Sequence, residues 1–287
     1  MADLSNKRII SVAITGAWPT REDNPNLPVT PQEIADSVYE SWKAGASIAH
    51  IHVRNDDGTP STSFERYKET IEAIRAYKDC DICLNITSSG GTLGSFTEDV
   101  DEQRIKPVRE LMPEMTSYDC GTMNWQDRTI MENHPRFLEK LGKMCIEYNI
   151  KPEIEVFDSG MLYTALRYVK RGILQEPCHF QLIMGPAGGT TATVENLVYL
   201  KSLLPENCTW SAAGIGKGHI PIMYTTIAMG GHLRVDLEDN VYYHKGVLAE
   251  SNGQLVARAA RLIEEAGLEV ATPAEAREIL GLTRHVE

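Results

Sequence analysis

Apolar and polar positions along the chain repeat one theme. Residues 8–17 (RIISVAITGA) form an apolar, β-branched run that closes at Gly16, the pattern of a buried strand. Residues 30–45 (TPQEIADSVYESWKAG) read as a helix, with Thr30 as cap, Pro31 in the first turn, Glu33 three residues after the cap and Gly45 closing it. The same step recurs to the end of the chain. Strands are predicted over 48–54, 82–87, 115–121, 151–158, 179–186, 209–216 and 231–239. Helices are predicted over 63–78, about 99–111, 134–149, 160–171, 193–204, 220–229 and 251–267, with a last short helix over 273–280.

Strict alternation of strand and helix implies a parallel sheet with right-handed crossovers. Eight such units in about 250 residues match a closed (β/α)8 TIM barrel. No shift of composition marks an internal boundary, so a single domain over 1–287 is expected, with a C-terminal helical extension at about 272–287. A doubly wound open sheet is the alternative architecture. It usually carries a Gly-rich dinucleotide loop after the first strand, where this chain has Ala17-Trp18-Pro19-Thr20. The loop over 18–29 is long and rich in Pro and Asn, and is expected to cover the barrel mouth.

Composition narrows the function classes. The 287 residues carry 28 Lys and Arg against 40 Asp and Glu, a formal net charge of −12, with 42% hydrophobic and 24% charged residues. That is an ordinary globular composition, and its acidity argues against nucleic acid and anionic membranes as partners. Residues 1–8 carry charges without the apolar run of a secretory signal, and no window is long and apolar enough to span a bilayer. The six cysteines include one C-x-x-C (Cys80, Cys83) but no second pair at zinc-ribbon spacing. They read as reduced, buried thiols of a cytoplasmic protein.

In such a barrel, chemistry sits at the C-terminal ends of the strands. His50 and His52 stand two apart on the second strand, so they face the same way, about 6.5–7 Å apart at Cα. Both nitrogens can then reach one metal at about 2.0–2.1 Å. The alternative is two histidines held by hydrogen bonds inside the barrel. On the eighth strand Arg234, Asp236 and Glu238 share one face, while Val235 and Leu237 share the other. The apolar face packs on the helices, so the charges point inward, where they must be paired or bound to metal. Glu238 lies at the level of His52, and two His with one carboxylate and an open position form a catalytic zinc set. On the fifth strand Glu155, sharing a face with Glu153, is placed to pair with Arg234; pure structural pairing is the alternative. The fourth strand puts Ser117, Asp119 and Gly121 on one face, and the third ends in Thr87-Ser88-Ser89-Gly90-Gly91, whose hydroxyls and backbone amides, that of Gly91 included, suit a carboxylate.

The segments ITGAW (14–18), NPNLPVTPQEIA (24–35), AGASIAHIHVRNDDG (44–58), PEIEVFDSG (152–160), GGHLRVDLEDN (230–240) and HKGVLAESNGQLVARAARL (244–262) resemble the β-keto acid cleavage enzymes, nearly end to end and with motif spacing kept. The resemblance implies a zinc-dependent (β/α)8 barrel that exchanges acyl groups between a β-keto acid and acetyl-CoA, giving acetoacetate and a new acyl-CoA. It implies zinc on His50, His52 and Glu238, proton abstraction by Asp239, orientation of that Asp by Arg234 and Glu155, and a substrate carboxylate held at Ser88 and Ser117. It also implies a homo-oligomer, a tetramer being the expectation.

Departures bear on the substrate. Family members that act on a 5-amino-3-keto acid carry a Glu where this chain has Trp18, so an amino group at C5 is not expected here. Trp18 suits an apolar acyl tail or, by cation–π contact, a quaternary ammonium. Asp119 and Asp236 replace an Asn and a Gly, and two extra inward carboxylates favour a cationic substituent, with 3-dehydrocarnitine as a candidate; alternatively Asp236 lies a layer lower and pairs with Arg234. Lys217, in the Gly-rich loop after the seventh strand, is placed to contact a CoA phosphate or to be a solvated loop lysine. A zinc hydrolase of the amidohydrolase type shares the H-x-H on a strand, but its further lysine and paired histidines are not found at suitable strand ends. A non-catalytic metal-binding scaffold is a third class, and the row Arg234–Asp236–Glu238–Asp239 speaks against it.

Overall fold

The structure, a computed structural model, describes residues 3–90 and 97–285. Eight parallel strands close on themselves in chain order: β1 (Ile10–Ala13), β2 (Ile48–Ile51), β3 (Cys83–Ile86), β4 (Met115–Asp119), β5 (Lys151–Val156), β6 (His179–Met184), β7 (Thr209–Gly214) and β8 (His232–Asp236), with β8 pairing back to β1. The helices between them are α1 (Pro31–Lys43), α2 (Phe64–Ala76), α3 (Glu98–Leu111), α4 (Pro135–Tyr148), α5 (Ser159–Lys170), α6 (Val194–Ser202), α7 (His219–Ala228) and α8 (Asn252–Glu265), and α9 (Pro273–Leu280) follows. This is the expected TIM barrel, in one domain.

Caps end the helices where the sequence implies. Thr30 accepts from the Glu33 amide while the Glu33 carboxylate accepts from the Thr30 amide, a complete capping box at the start of α1. Thr272 and Glu275 repeat it at α9.

The strands are shorter than their apolar runs. Lys7 and Arg8 leave β1 to pair with Glu269 and Val270, tying the N-terminus to the segment before α9. The eighth strand ends at Asp236 rather than running to 239, because Asp236 Oδ1 accepts the Asp239 amide at 2.6 Å and turns the chain. Outward side chains such as Ile154, Val156, Phe180, Leu182, Leu233 and Val235 join the core under the helices. The inward positions are unusually polar for a barrel, where branched apolar residues normally dominate. Asn85, Glu153, His179, Gln181, Ser211 and Arg234 are all buried there.

Three excursions extend the C-terminal ends of the strands. They are the ribbon Val53–Arg54/Pro60–Ser61 after β2, the hairpin Met123–Trp125/Thr129–Met131 after β4, and the hairpin Tyr242–His244/Val247–Leu248 after β8. None of them was read from the periodicity.

Candidate active site

His50 sits in β2 and His52 just beyond it, so the pleat aims both at the mouth of the barrel. Their rings are 5.1 Å apart. Glu238, in the turn after β8, brings Oε1 to 3.6 Å from His52 Nε2 and 4.0 Å from His50 Nε2. The three donor atoms lie within 4.8 Å of one another. Gly16 makes this possible: its φ is +58°, and a Cβ there would overlap the Glu238 side chain.

The guanidinium of Arg234, 3% exposed, is the hub below. It lies 2.8 Å from Glu238, 3.2 Å from Asp239, 3.3 Å from Asp236 and 3.4 Å from Glu155. Four carboxylates around one guanidinium leave an excess of negative charge in a buried site, and burial pushes Glu155 and Asp236 well above the usual carboxylate range and Glu238 up to about 7. Burial and then Arg234 hold His52 down at about 3 and keep His50 well below the usual imidazole range, so both rings are neutral.

Neutral imidazoles are the form that ligates a metal. Glu238 Oε2 and His50 Nδ1 are buried without a hydrogen-bond partner. Two imidazoles, one carboxylate and an orphaned carboxylate oxygen together fit a divalent cation of the zinc type. His50 with Glu153 and Glu155 forms a second, wholly buried group of donors in the layer beneath.

Asp236 is fully buried and does not line the cavity; it braces Arg234 through Oδ2 and the Asp239 amide through Oδ1. Ser88 and Ser117 are held to each other: the Ser88 amide donates to Ser117 Oγ at 3.0 Å, and Ser88 Oγ donates to the Ser117 carbonyl at 2.8 Å. The cavity is lined instead by their neighbours Thr87 and Ser89. Gly91 lies outside the described residues. Asp119, Glu155, Arg234 and Asp239 also line the cavity. Burial raises Asp119, with Arg104 acting against it.

Trp18 also lines the cavity, stacked on Trp125 at 5.8 Å, and Trp125 in turn meets the edge of Phe157 at 5.5 Å. Arg54, buried inside the mouth, fixes the wall at Trp18 by donating to the carbonyls of Thr15 and Pro19, each at 2.8 Å. Trp125, Phe157, Thr87, Ser89 and Arg54 were not among the site residues read from sequence. The H-x-H-x-R spacing carried a signal for Arg54, and strand alternation with Glu153 and Glu155 one for Phe157. Lys217 is exposed in the short turn between β7 and α7 and is not part of this cavity.

The family model for beta-keto acid cleavage enzyme matches residues 7–282. A 3-keto-5-aminohexanoate cleavage enzyme of Fusobacterium nucleatum subsp. nucleatum is 46% identical over 98% of this chain and 100% of its own length. A 3-oxoadipate:acetyl-CoA acetyltransferase of Cupriavidus necator is 38% identical over 96% of this chain and 94% of its own. A 3-dehydrocarnitine:acetyl-CoA trimethylamine transferase of Rhizobium meliloti is 35% identical over 98% of each. Among solved structures, the binary complex of ObcA with oxaloacetate superposes with a TM-score of 0.80 at 17% identity, covering 91% of this chain and 68% of that one, a likeness of fold.

Proposed function

The chain belongs to the beta-keto acid cleavage enzyme family, and on that premise we propose that it is a zinc-dependent acyltransferase that converts a β-keto acid and acetyl-CoA into acetoacetate and a new acyl-CoA. The observation that carries the reading is Asp239, ion-paired to buried Arg234 and adjoining the His50, His52 and Glu238 donor set at one barrel mouth.

His50, His52 and Glu238 would hold the zinc, which as a Lewis acid would polarise the 3-keto oxygen and acidify the C2 protons. Asp239 is the general base. Its Oδ2 faces Arg234, leaving Oδ1 to take a proton from C2 of the keto acid. The resulting C2 carbanion forms a bond to the acetyl carbonyl carbon, and CoA leaves as thiolate. The thiolate adds to the former keto carbon, the C2–C3 bond breaks, and acetoacetate departs with a proton returned by Asp239. Arg234 holds Asp239 in place through the exchange, and Glu155 and Asp236 fix Arg234 from two sides. The Thr87 and Ser89 hydroxyls that line the cavity, with Ser88 and Ser117 holding each other beside them, support binding of the substrate carboxylate.

The aromatic residues Trp18, Trp125 and Phe157, with Asp119 lining the same cavity, support a substrate whose far end is apolar or carries a quaternary ammonium. A 3-dehydrocarnitine-like acid is therefore preferred over a 5-amino acid.

The reading extends to a homotetramer in the cytoplasm. It is supported by six free cysteines and by exposed apolar side chains on adjacent helices, Tyr163 on α5, Val198 and Tyr199 on α6 and Tyr224 on α7. Among the described residues no helix is long and apolar enough to cross a membrane.

A panel of 3-keto acids with and without acetyl-CoA tests the reading. Acetoacetate should form only when both are present. Keto acid consumption that ignores acetyl-CoA would contradict it.

A further inference from the structure

A second cavity, of about 830 Å3, opens beside the first and shares Asp239 with it. Its walls come from the turn after β7 and the hairpin after β8. Asn240 joins these two elements: its Oδ1 accepts from the Gly216 amide at 2.8 Å and its Nδ2 donates to the Gly214 carbonyl at 3.1 Å. Arg258 on α8 fixes the hairpin wall by stacking on the Tyr243 ring and donating to the Tyr243 carbonyl.

His219, at the start of α7, is 5% exposed and lines this cavity. Its Nδ1 faces the Arg258 guanidinium at 3.4 Å, and a guanidinium can only donate. The neutral ring therefore carries its hydrogen on Nε2. That atom is buried and has no hydrogen-bond partner. A buried donor without an acceptor costs stability, and a ligand carbonyl or phosphate oxygen would satisfy it. Lys217 and Lys245 stand exposed on either side of the same cavity, and neither is ion-paired with a carboxylate among the described residues. Two cations together are notable in a chain of net charge −12.

We propose that this cavity is the acetyl-CoA site, with the acyl-pantetheine arm in the cavity, its amide oxygen accepting from His219 Nε2, and the phosphates at Lys217 and Lys245. The proposal rests on the acetyl-CoA exchange proposed above. The volume lies in the range of small-molecule sites, roughly 300–1,000 Å3. The shared Asp239 places the thioester end where the carbanion forms.

The test compares acetyl-CoA with S-acetylpantetheine, which lacks the nucleotide and its diphosphate. Reversing both charges (K217E with K245E) should raise the KM for acetyl-CoA about tenfold, and the preference for acetyl-CoA over S-acetylpantetheine should shrink by the same factor. H219A should raise the KM of both thioesters and leave that preference intact. An acetyl-CoA KM unmoved by the double charge reversal would overturn the assignment. Both lysines are exposed, so the variant is expected to fold. Absence of acetoacetate from the unaltered enzyme would instead contradict the proposed reaction. The cavity is then judged by equilibrium binding of CoA alone, which the charge reversal must weaken; no CoA binding to the unaltered protein would also overturn it.

Discussion

Gly16 and Glu238 occupy adjoining space: the left-handed backbone of Gly16, with φ at +58°, leaves the volume that the Glu238 side chain fills on its way to the two histidines. Gly16→Ala is therefore expected to displace the carboxylate as well as strain the backbone. Zinc affinity should fall about 10–100-fold, the loss seen when support around metal ligands is removed. Metal analysis of the purified variant checks it, with circular dichroism showing that the barrel persists. Full zinc retention would separate Glu238 from the metal.

Asp239→Asn keeps the shape of the side chain and removes its basicity. Turnover should fall about 10²–10⁴-fold, the contribution of a general base, while zinc content stays unchanged. Wild-type turnover in this variant would remove Asp239 from the mechanism.

Arg234→Gln withdraws the one guanidinium that Glu155, Asp236, Glu238 and Asp239 share. Breaking a buried pair by removing one partner costs about 3–5 kcal/mol. Denaturant unfolding should show a loss of that size, and a loss below about 1 kcal/mol would mean that the carboxylates are not held as ions.

His232 lies at the start of β8, where its Nδ1 accepts from the Ile9 amide at 3.1 Å. Burial, then Arg8, hold its pKa down at about 4, against 6.5 for the free side chain. The folded state thus binds fewer protons than the unfolded state between these values, and stability present above pH 6.5 is lost as pH falls toward 4. Between pH 7 and pH 5 this amounts to about 2 kcal/mol. His232→Asn should reduce the acid dependence by about that amount, measured as unfolding free energy at the two pH values. An unchanged dependence would place the proton elsewhere.

Trp18→Glu replaces an aromatic face with a carboxylate at the cavity wall, which would pair with an ammonium substituent on the substrate. The specificity ratio kcat/KM should move toward 5-amino-3-keto acids by about tenfold or more. Loss of activity on every substrate would show that Trp18 supports the wall rather than selects the substrate.

The barrel was legible because its evidence is periodic. Each strand is a short apolar run closed by turn residues, and each helix carries its own cap, as Thr30 and Glu33 illustrate. The site was legible where it lies on regular strands, since a period of two fixes which side chains share a face, as with His50 and His52. It was obscured where the chain leaves the strand. Glu238 and Asp239 sit in a turn made by the Asp236 side chain, so strand alternation does not describe their directions. Asp236 carried two readings, a place on the substrate wall or a pairing with Arg234 one layer lower, and the structure shows the second. Trp125 lies in a hairpin with no periodic signal, whereas Phe157 falls within the predicted strand on the face of Glu153 and Glu155 and could have been read from that alternation. The stacking of Trp125 on Trp18 and its edge contact with Phe157 are tertiary contacts that no local pattern encodes.

The central claim is an exchange of acyl groups between the keto acid and acetyl-CoA, and the fate of the acetyl carbonyl carbon tests it most directly. With acetyl-CoA labelled by ¹³C at that carbon and an unlabelled 3-keto acid, the account predicts acetoacetate labelled at its ketone carbon, C3, and a new acyl-CoA without label. Label left in acetyl-CoA or released as acetate while the keto acid is consumed would contradict it.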